Sequence, residues 1–183
     1  MVKNKRIILR KLHRYIGLII AAQLLLWTIS GIYFSFNKIE NVRGEQYLIA
    51  ATEALISDKR KLEKIDFKSA MQIIEERTTL KPQKVEIVDE SKKGSEYRGR
   101  ELPLYKVTSL TNEGEEINVY QNPFSGEIVA IRSSQWRMWD LMWGLHIIDW
   151  VDRDNIDNLF LKIFSFIALF TSISGIILFF KKS

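Results

Sequence analysis

The chain has 183 residues, no cysteine, two histidines and a formal net charge of +5, with a sequence pI near 9.3. The lack of cysteine excludes disulfides, thiol catalysis, cysteine-ligated iron–sulfur clusters and covalent c-type haem attachment within this chain. The basic balance does not point to nucleic acid: residues 1–36 carry six Lys or Arg and no acid, residues 159–183 carry three and no acid, and both groups flank apolar stretches.

Residues 1–15 read as a basic amphipathic lead-in, with Ile7, Ile8, Leu12 and Tyr15 near one helical face, lying on anionic lipid. His13 stands at its end. From Ile16 to Phe36 no residue is charged, and these 21 residues rise ~31 Å as a helix, the thickness of a bilayer's hydrocarbon core. The run is too long for the apolar part of a signal peptide, and no small-x-small site follows it, so it reads as an uncleaved transmembrane anchor.

Residues 37–61 form a polar connector with a short strand or helix expected near Tyr47 to Ile56. Residues 62–132 read as one small α+β domain. A helix is expected over Ser69 to Thr78. Strands are expected over Lys84 to Asp89, Leu102 to Ser109, Glu116 to Gln121 and Glu127 to Arg132, separated by turn signals at Lys93-Gly94, Asn112 to Gly114 and Asn122 to Gly126. One helix followed by an antiparallel meander is the expected layout. Glu90 to Glu101 reads as a charged, mobile loop.

Residues 133–154 are expected to form an interfacial amphipathic helix and turn. At helical spacing Trp136, Trp139, Trp143, His146, Ile147 and Trp150 share one side, with Arg137, Asp140 and Gly144 on another. Asp152 to Asn158 reads as the turn and N-cap of a second transmembrane helix within 155–180, apolar from Leu159, with Lys162 snorkelling outward. Residues 181–183 are a short basic tail. Positive flanks on both spans place both termini in the cytoplasm and the middle domain outside it.

The two spans echo each other: TISGIYFSF (residues 28–36) against SISGIILFF (residues 172–180), each with a Leu-His pair upstream, Leu12-His13 and Leu145-His146. This is a weak internal repeat, inverted in the membrane. The small residues are either helix-packing contacts or room for a flat cofactor. Both histidines lie at membrane boundaries, ~30 Å apart across the bilayer, so they cannot share one iron. Neutral imidazole is the usual ligand of a non-covalent haem in a helical bundle. Gly17, four residues after His13, leaves space for a porphyrin edge, and Arg10 and Arg14 can pair propionates; Gly144, Arg137 and Arg153 offer the same near His146. The competing readings are two wet interfacial histidines, and a divalent site of His146, Asp149, Asp152 and Asp154 against plain helix caps. No catalytic carboxylate pair, serine–histidine arrangement, metalloprotease motif, phosphate loop or nicotinamide fingerprint is present.

The stretches KLHRYIGLIIA and WTISGIYFSF, VYQNPFSGEIVAI, LHIIDW and SGIILFFKK resemble, in order and spacing, the PepSY-associated transmembrane family. The resemblance covers nearly the whole chain and implies a membrane α+β protein: two transmembrane helices flanking an extracytoplasmic PepSY-like domain, in a bacterial inner membrane. Larger members have four or more spans, and some are implicated in ferric-siderophore reduction through b-type haems on helix histidines. The resemblance therefore implies haem b on the iron ligands His13 and His146. It implies electron transfer to or from a flavin-bearing partner, in a homodimer or a membrane redox complex. The alternatives are a non-redox, membrane-tethered PepSY module that binds or regulates a peptidase, and an accessory structural subunit. The partners expected are lipid and protein, not nucleic acid.

Overall fold

The computed structural model describes residues 2–49 and 63–180, with side chains from Ile7 onward. The chain divides into two compact units, residues 1–35 with 141–183, and residues 36–140.

The first unit is built on α1 (Val2–Phe36) and α5 (Leu159–Phe180). The lead-in and the span are one continuous helix; no break falls at residue 15. Ile7–Phe36 and Leu159–Phe180 are both long and apolar enough to cross a membrane, yet only 17% and 6% of their most apolar windows are buried. Leu18, Phe36, Phe160, Phe166, Phe179 and Phe180 all stand exposed. A helix of a soluble core buries such residues; exposure all round is what lipid permits. α1 and α5 run antiparallel, because His13 meets Ser174 and Gly17 meets Thr171.

Helix α4 (Ser134–Ile147) carries the chain between the units. It stops at Ile147, short of the helix expected through Trp150, for a tertiary reason. Its last carbonyls accept from side chains elsewhere: Leu145 from Gln23 (3.3 Å), His146 from Trp27 Nε1 (2.6 Å) and Ile147 from Asn158 (2.9 Å). Ile148 follows at φ 56°, and the Asp149 N–H returns to the Gly144 carbonyl at 3.0 Å, a Schellman closure. A β-branched residue in the left-handed region is strained. Ile148→Gly is therefore expected to raise thermal stability by up to ~1 kcal/mol, read as a higher melting midpoint in detergent. Trp150, beyond the closure, is exposed. Asn158 caps α5 by accepting from the Leu161 N–H at 2.8 Å, and Lys162 pairs with Asp157.

The second unit is a four-stranded antiparallel meander in the order β1-β2-β3-β4: β1 (Lys81–Val88), β2 (Leu104–Leu110), β3 (Glu116–Gln121) and β4 (Ile128–Arg132). Helix α3 (Phe67–Arg77) precedes it, N-capped by Asp66, which accepts from the Ser69 N–H at 2.9 Å. Period-two alternation explains the two faces. Tyr105, Val107, Ile117, Val119 and Ile131 meet Ala70 and Ile74 of α3 in the main core, while Leu104, Tyr120 and Ala130 form a second cluster with Tyr97. At the hairpin between β3 and β4, the Asn122 side chain accepts from the Phe124 and Ser125 N–H groups, and Gly126 takes φ 69°. The described part of the connector folds onto this unit as α2 (Ile39–Arg43), a 3₁₀ turn at Glu45–Tyr47 and a bridge from Leu48 to Thr78. The remainder of the segment expected near Tyr47 to Ile56 lies outside the described residues.

The loop after β1 departs from expectation. Instead of a mobile solvated stretch, it is docked. Glu96 accepts from Asn118 (2.7 Å), Tyr120 (3.1 Å) and Arg137 (2.6 Å), Tyr97 packs on Tyr120, and Arg98 pairs with the buried Asp140. Its charges find opposite charges on α4. For the same reason Arg137 and Asp140 form a paired side of α4.

Candidate functional site

The two histidines occupy equivalent places in the first unit. His13 Nδ1 lies 2.7 Å from Ser174 Oγ, and His146 Nδ1 lies 2.7 Å from Ser30 Oγ. Each serine is the third residue of one copy of the repeated (T/S)-I-S-G motif, and both are buried. The repeat is thus reciprocal: each half's histidine clasps the other half's serine. Ser30 and Ser174 went unassigned in the sequence, where the small residues read only as packing or space; the repeat itself was the available signal.

The serines hold the imidazoles at Nδ1. Each serine also donates back to its own helix, Ser30 to the Trp27 carbonyl (3.1 Å) and Ser174 to the Thr171 carbonyl (2.9 Å). A hydroxyl has one proton; with that proton on the helix carbonyl, its lone pair accepts from Nδ1–H. The neutral tautomer is then Nδ1–H, with the Nε2 lone pair free. Among the described residues Nε2 of neither histidine has a protein partner, and neither is sealed from solvent or lipid. A metal-ligating histidine ordinarily has this arrangement, with Nδ1–H held and Nε2 open.

The two clasps are well separated. Ser30 lies 17 residues beyond His13 on α1, a rise of ~26 Å. The imidazoles cannot ligate one iron within a single chain. Around His146 are Trp27, Phe34 and Trp143, the last stacked at 5° and 6.3 Å. Beside His13 is Gly175, where an added Cβ would come within 3.3 Å of Cε1 and 3.8 Å of Nε2. Gly175 is therefore the glycine that keeps this imidazole edge clear.

Arg10 and Arg14 sit three residues before and one after His13, exposed, and form no ion pair among the described residues. Gly17 faces α5, with Thr171 at 3.7 Å from a built Cβ, a packing contact rather than an open edge. Gly144 lies beneath Arg153, whose Cγ would be 2.9 Å from an added Cβ. Residues two apart on a helix point ~200° apart, so the stem of Arg153 lies on the face of α4 turned away from His146. Arg137 is engaged by Glu96. Among the described residues no cluster of metal-ligating side chains is assembled. Asp149 instead organises the turn: its carboxylate accepts from the N–H groups of Val151, Asp152, Asp154 and Asn155. Burial raises its pKa, but those backbone bonds outweigh this and bring it down to about 2. A cavity of about 590 Å³ in the same unit is lined by residues including Ala22, Gln23, Leu26, Trp150 and Phe164, but by neither histidine.

The residues around His13 fit a haem on chemical grounds: an Nδ1 held by a serine hydroxyl, a glycine at the imidazole edge and, among the described residues, an Nε2 without a protein partner and two guanidiniums without an ion pair nearby. Those at His146 share the held Nδ1 and, among the described residues, the Nε2 without a protein partner.

Two lipid-exposed apolar helices that bracket a folded α+β domain in sequence define an integral membrane protein. The family model described as the PepSY-associated TM region matches residues 10–183, and the chain belongs to that family. No curated protein and no solved structure matches it.

Proposed function

We propose that this PepSY membrane protein is an electron-transfer subunit that holds b-type haem through His13 and His146. The reading rests on the reciprocal clasp: Nδ1 of each imidazole meets a serine hydroxyl, and among the described residues Nε2 of each meets no protein partner. Each chain offers one ligand per site, so six-coordinate iron calls for a second histidine at each level. A homodimer supplies it, pairing His13 with the partner copy's equivalent and His146 likewise, at two levels ~26 Å apart along α1. Bound haem supplies a one-electron couple. The chain's own residues hold the imidazole tautomer, clear its edge at Gly175 and offer Arg10 and Arg14 to propionates. With basic flanks cytoplasmic, His13 lies toward the cytoplasm and His146 toward the periplasm of an inner membrane. Stacked so, the levels pass electrons across the bilayer to or from a partner, with ferric-siderophore reduction as the expected setting.

Haem content per chain tests the reading. Wild type purified with adequate haem supply is expected to hold one haem per chain, two per dimer. His13→Ala and His146→Ala are each expected to lose half of it, and the double variant all. A single variant retaining the full content and spectrum would remove that histidine from the scheme.

A further inference from the structure

A separate cavity of about 380 Å³ lies wholly within the residue 36–140 unit. It is walled by α2, the start of α4, Leu48 and the edge strand β4. Three guanidiniums line it: Arg43 at the end of α2, Arg100 from the docked loop, and Arg132 at the end of β4. Among the described residues no carboxylate lines it. The rest of the wall is apolar and aromatic, including Val42, Val129 and Trp136.

Arg132 is the built part of the site. It is buried, stacks 4.3 Å over the Trp136 ring, and is fixed by donating from Nε to the Glu96 carbonyl (2.8 Å) and from Nη1 to the Ile131 carbonyl (3.1 Å). Those bonds use two of its five donors; among the described residues the other three meet no acceptor. Burial and then the positive charge of Arg100 lower its pKa, the nearby Glu96 carboxylate works against them, and the result is a fall to about 10. Arg100 and Arg132 repel each other at a wall that holds no acid, the Glu96 carboxylate acting on Arg132 from outside the lining, and an anion in the cavity offsets that repulsion.

We propose that this cavity binds a small organic oxyanion, a carboxylate or phosphate monoester on an apolar or aromatic body. Guanidinium forks recognise planar oxyanions bidentately, and the valine and tryptophan wall takes the body. The volume is at the lower end of the ~300–1,000 Å³ typical of small-molecule sites. A fixed, buried Arg132 sets orientation, while exposed Arg43 and Arg100 close on the charge.

The test uses the full chain in zwitterionic nanodiscs, titrated with isophthalate and with phenyl phosphate, with dimethyl isophthalate as the uncharged control. Tryptophan fluorescence and melting midpoint are read together. At least one anion is expected to quench saturably and raise the midpoint, with affinity falling as salt rises, while the diester does neither. Whichever anion binds more tightly assigns carboxylate or phosphate. Arg43→Gln and Arg100→Gln change exposed side chains and remove a like charge, so each is expected to leave the unliganded midpoint no lower and to weaken binding at least tenfold. Failure of both anions to bind, equal binding of the diester, or unchanged affinity in both variants would overturn the proposal.

Discussion

Ser174→Ala is expected to loosen His13 without touching it, and Ser30→Ala to do the same for His146. Each removes the hydroxyl partner of a part-buried imidazole Nδ1 and leaves that polar atom unpaired, a cost of about 1–3 kcal/mol. The protein without haem should therefore melt earlier in each variant, and the double variant earlier still by about the sum, because the clasps lie ~26 Å apart and share no residue. A second consequence separates a positioning role from mere packing. Once Nδ1–H is no longer held, the ring can turn or change tautomer, and haem affinity is expected to fall by about 10–100-fold at that level alone. Ser→Thr keeps the hydroxyl and should restore much of the affinity, whereas Ser→Val, similar in shape, should not. Equal behaviour of the Thr and Val variants would contradict the hydrogen-bonding account.

Glu96→Ala is expected to destabilise the α+β unit by about 2–3 kcal/mol, a large effect for one side chain in a loop. Three donors converge on it, from β3 and from α4, and its removal leaves Asn118, Tyr120 and Arg137 without that acceptor. The figure sits below the usual cost of breaking a buried ion pair because Arg137 remains 38% exposed. The same carboxylate sets an acid limit. Burial raises its pKa, but the bonds from Arg137, Asn118 and Tyr120 outweigh that and hold it below the ordinary value of 4.5. A depressed folded-state pKa gives stability that is full above the unfolded value and lost as pH falls through the folded one. The unit should thus lose stability below about pH 4.5, and Glu96→Gln should flatten that limb while lowering the plateau. Thermal melts between pH 3 and 7 measure both.

How far the sequence revealed this molecule follows from which interactions are local. The strands were legible because Tyr105 and Val107, or Ile117 and Val119, alternate with residues of the other face; β3 was read to its ends, Glu116–Gln121. The apolar runs gave both long helices, and the Asn122 to Gly126 turn gave the hairpin. The end of α4 was not legible. It depends on Gln23, Trp27 and Asn158 reaching its carbonyls, a tertiary fact with no trace in the Trp-rich periodicity. Nor does charge pattern distinguish a solvated loop from a paired one, so the docking of Glu96 and Arg98 onto α4 was hidden. At the site, both histidines and the repeat were visible, but their crossing onto Ser30 and Ser174 was not, because only the antiparallel packing of α1 and α5 brings residue 13 to residue 174.

The reduced-minus-oxidised visible spectrum of the detergent-purified protein, expressed with adequate haem, tests the central claim most directly. Sharp b-type bands from low-spin iron, halved in intensity by either His13→Ala or His146→Ala, are the predicted result. A folded, haem-supplied protein with no such bands would contradict haem binding by this chain.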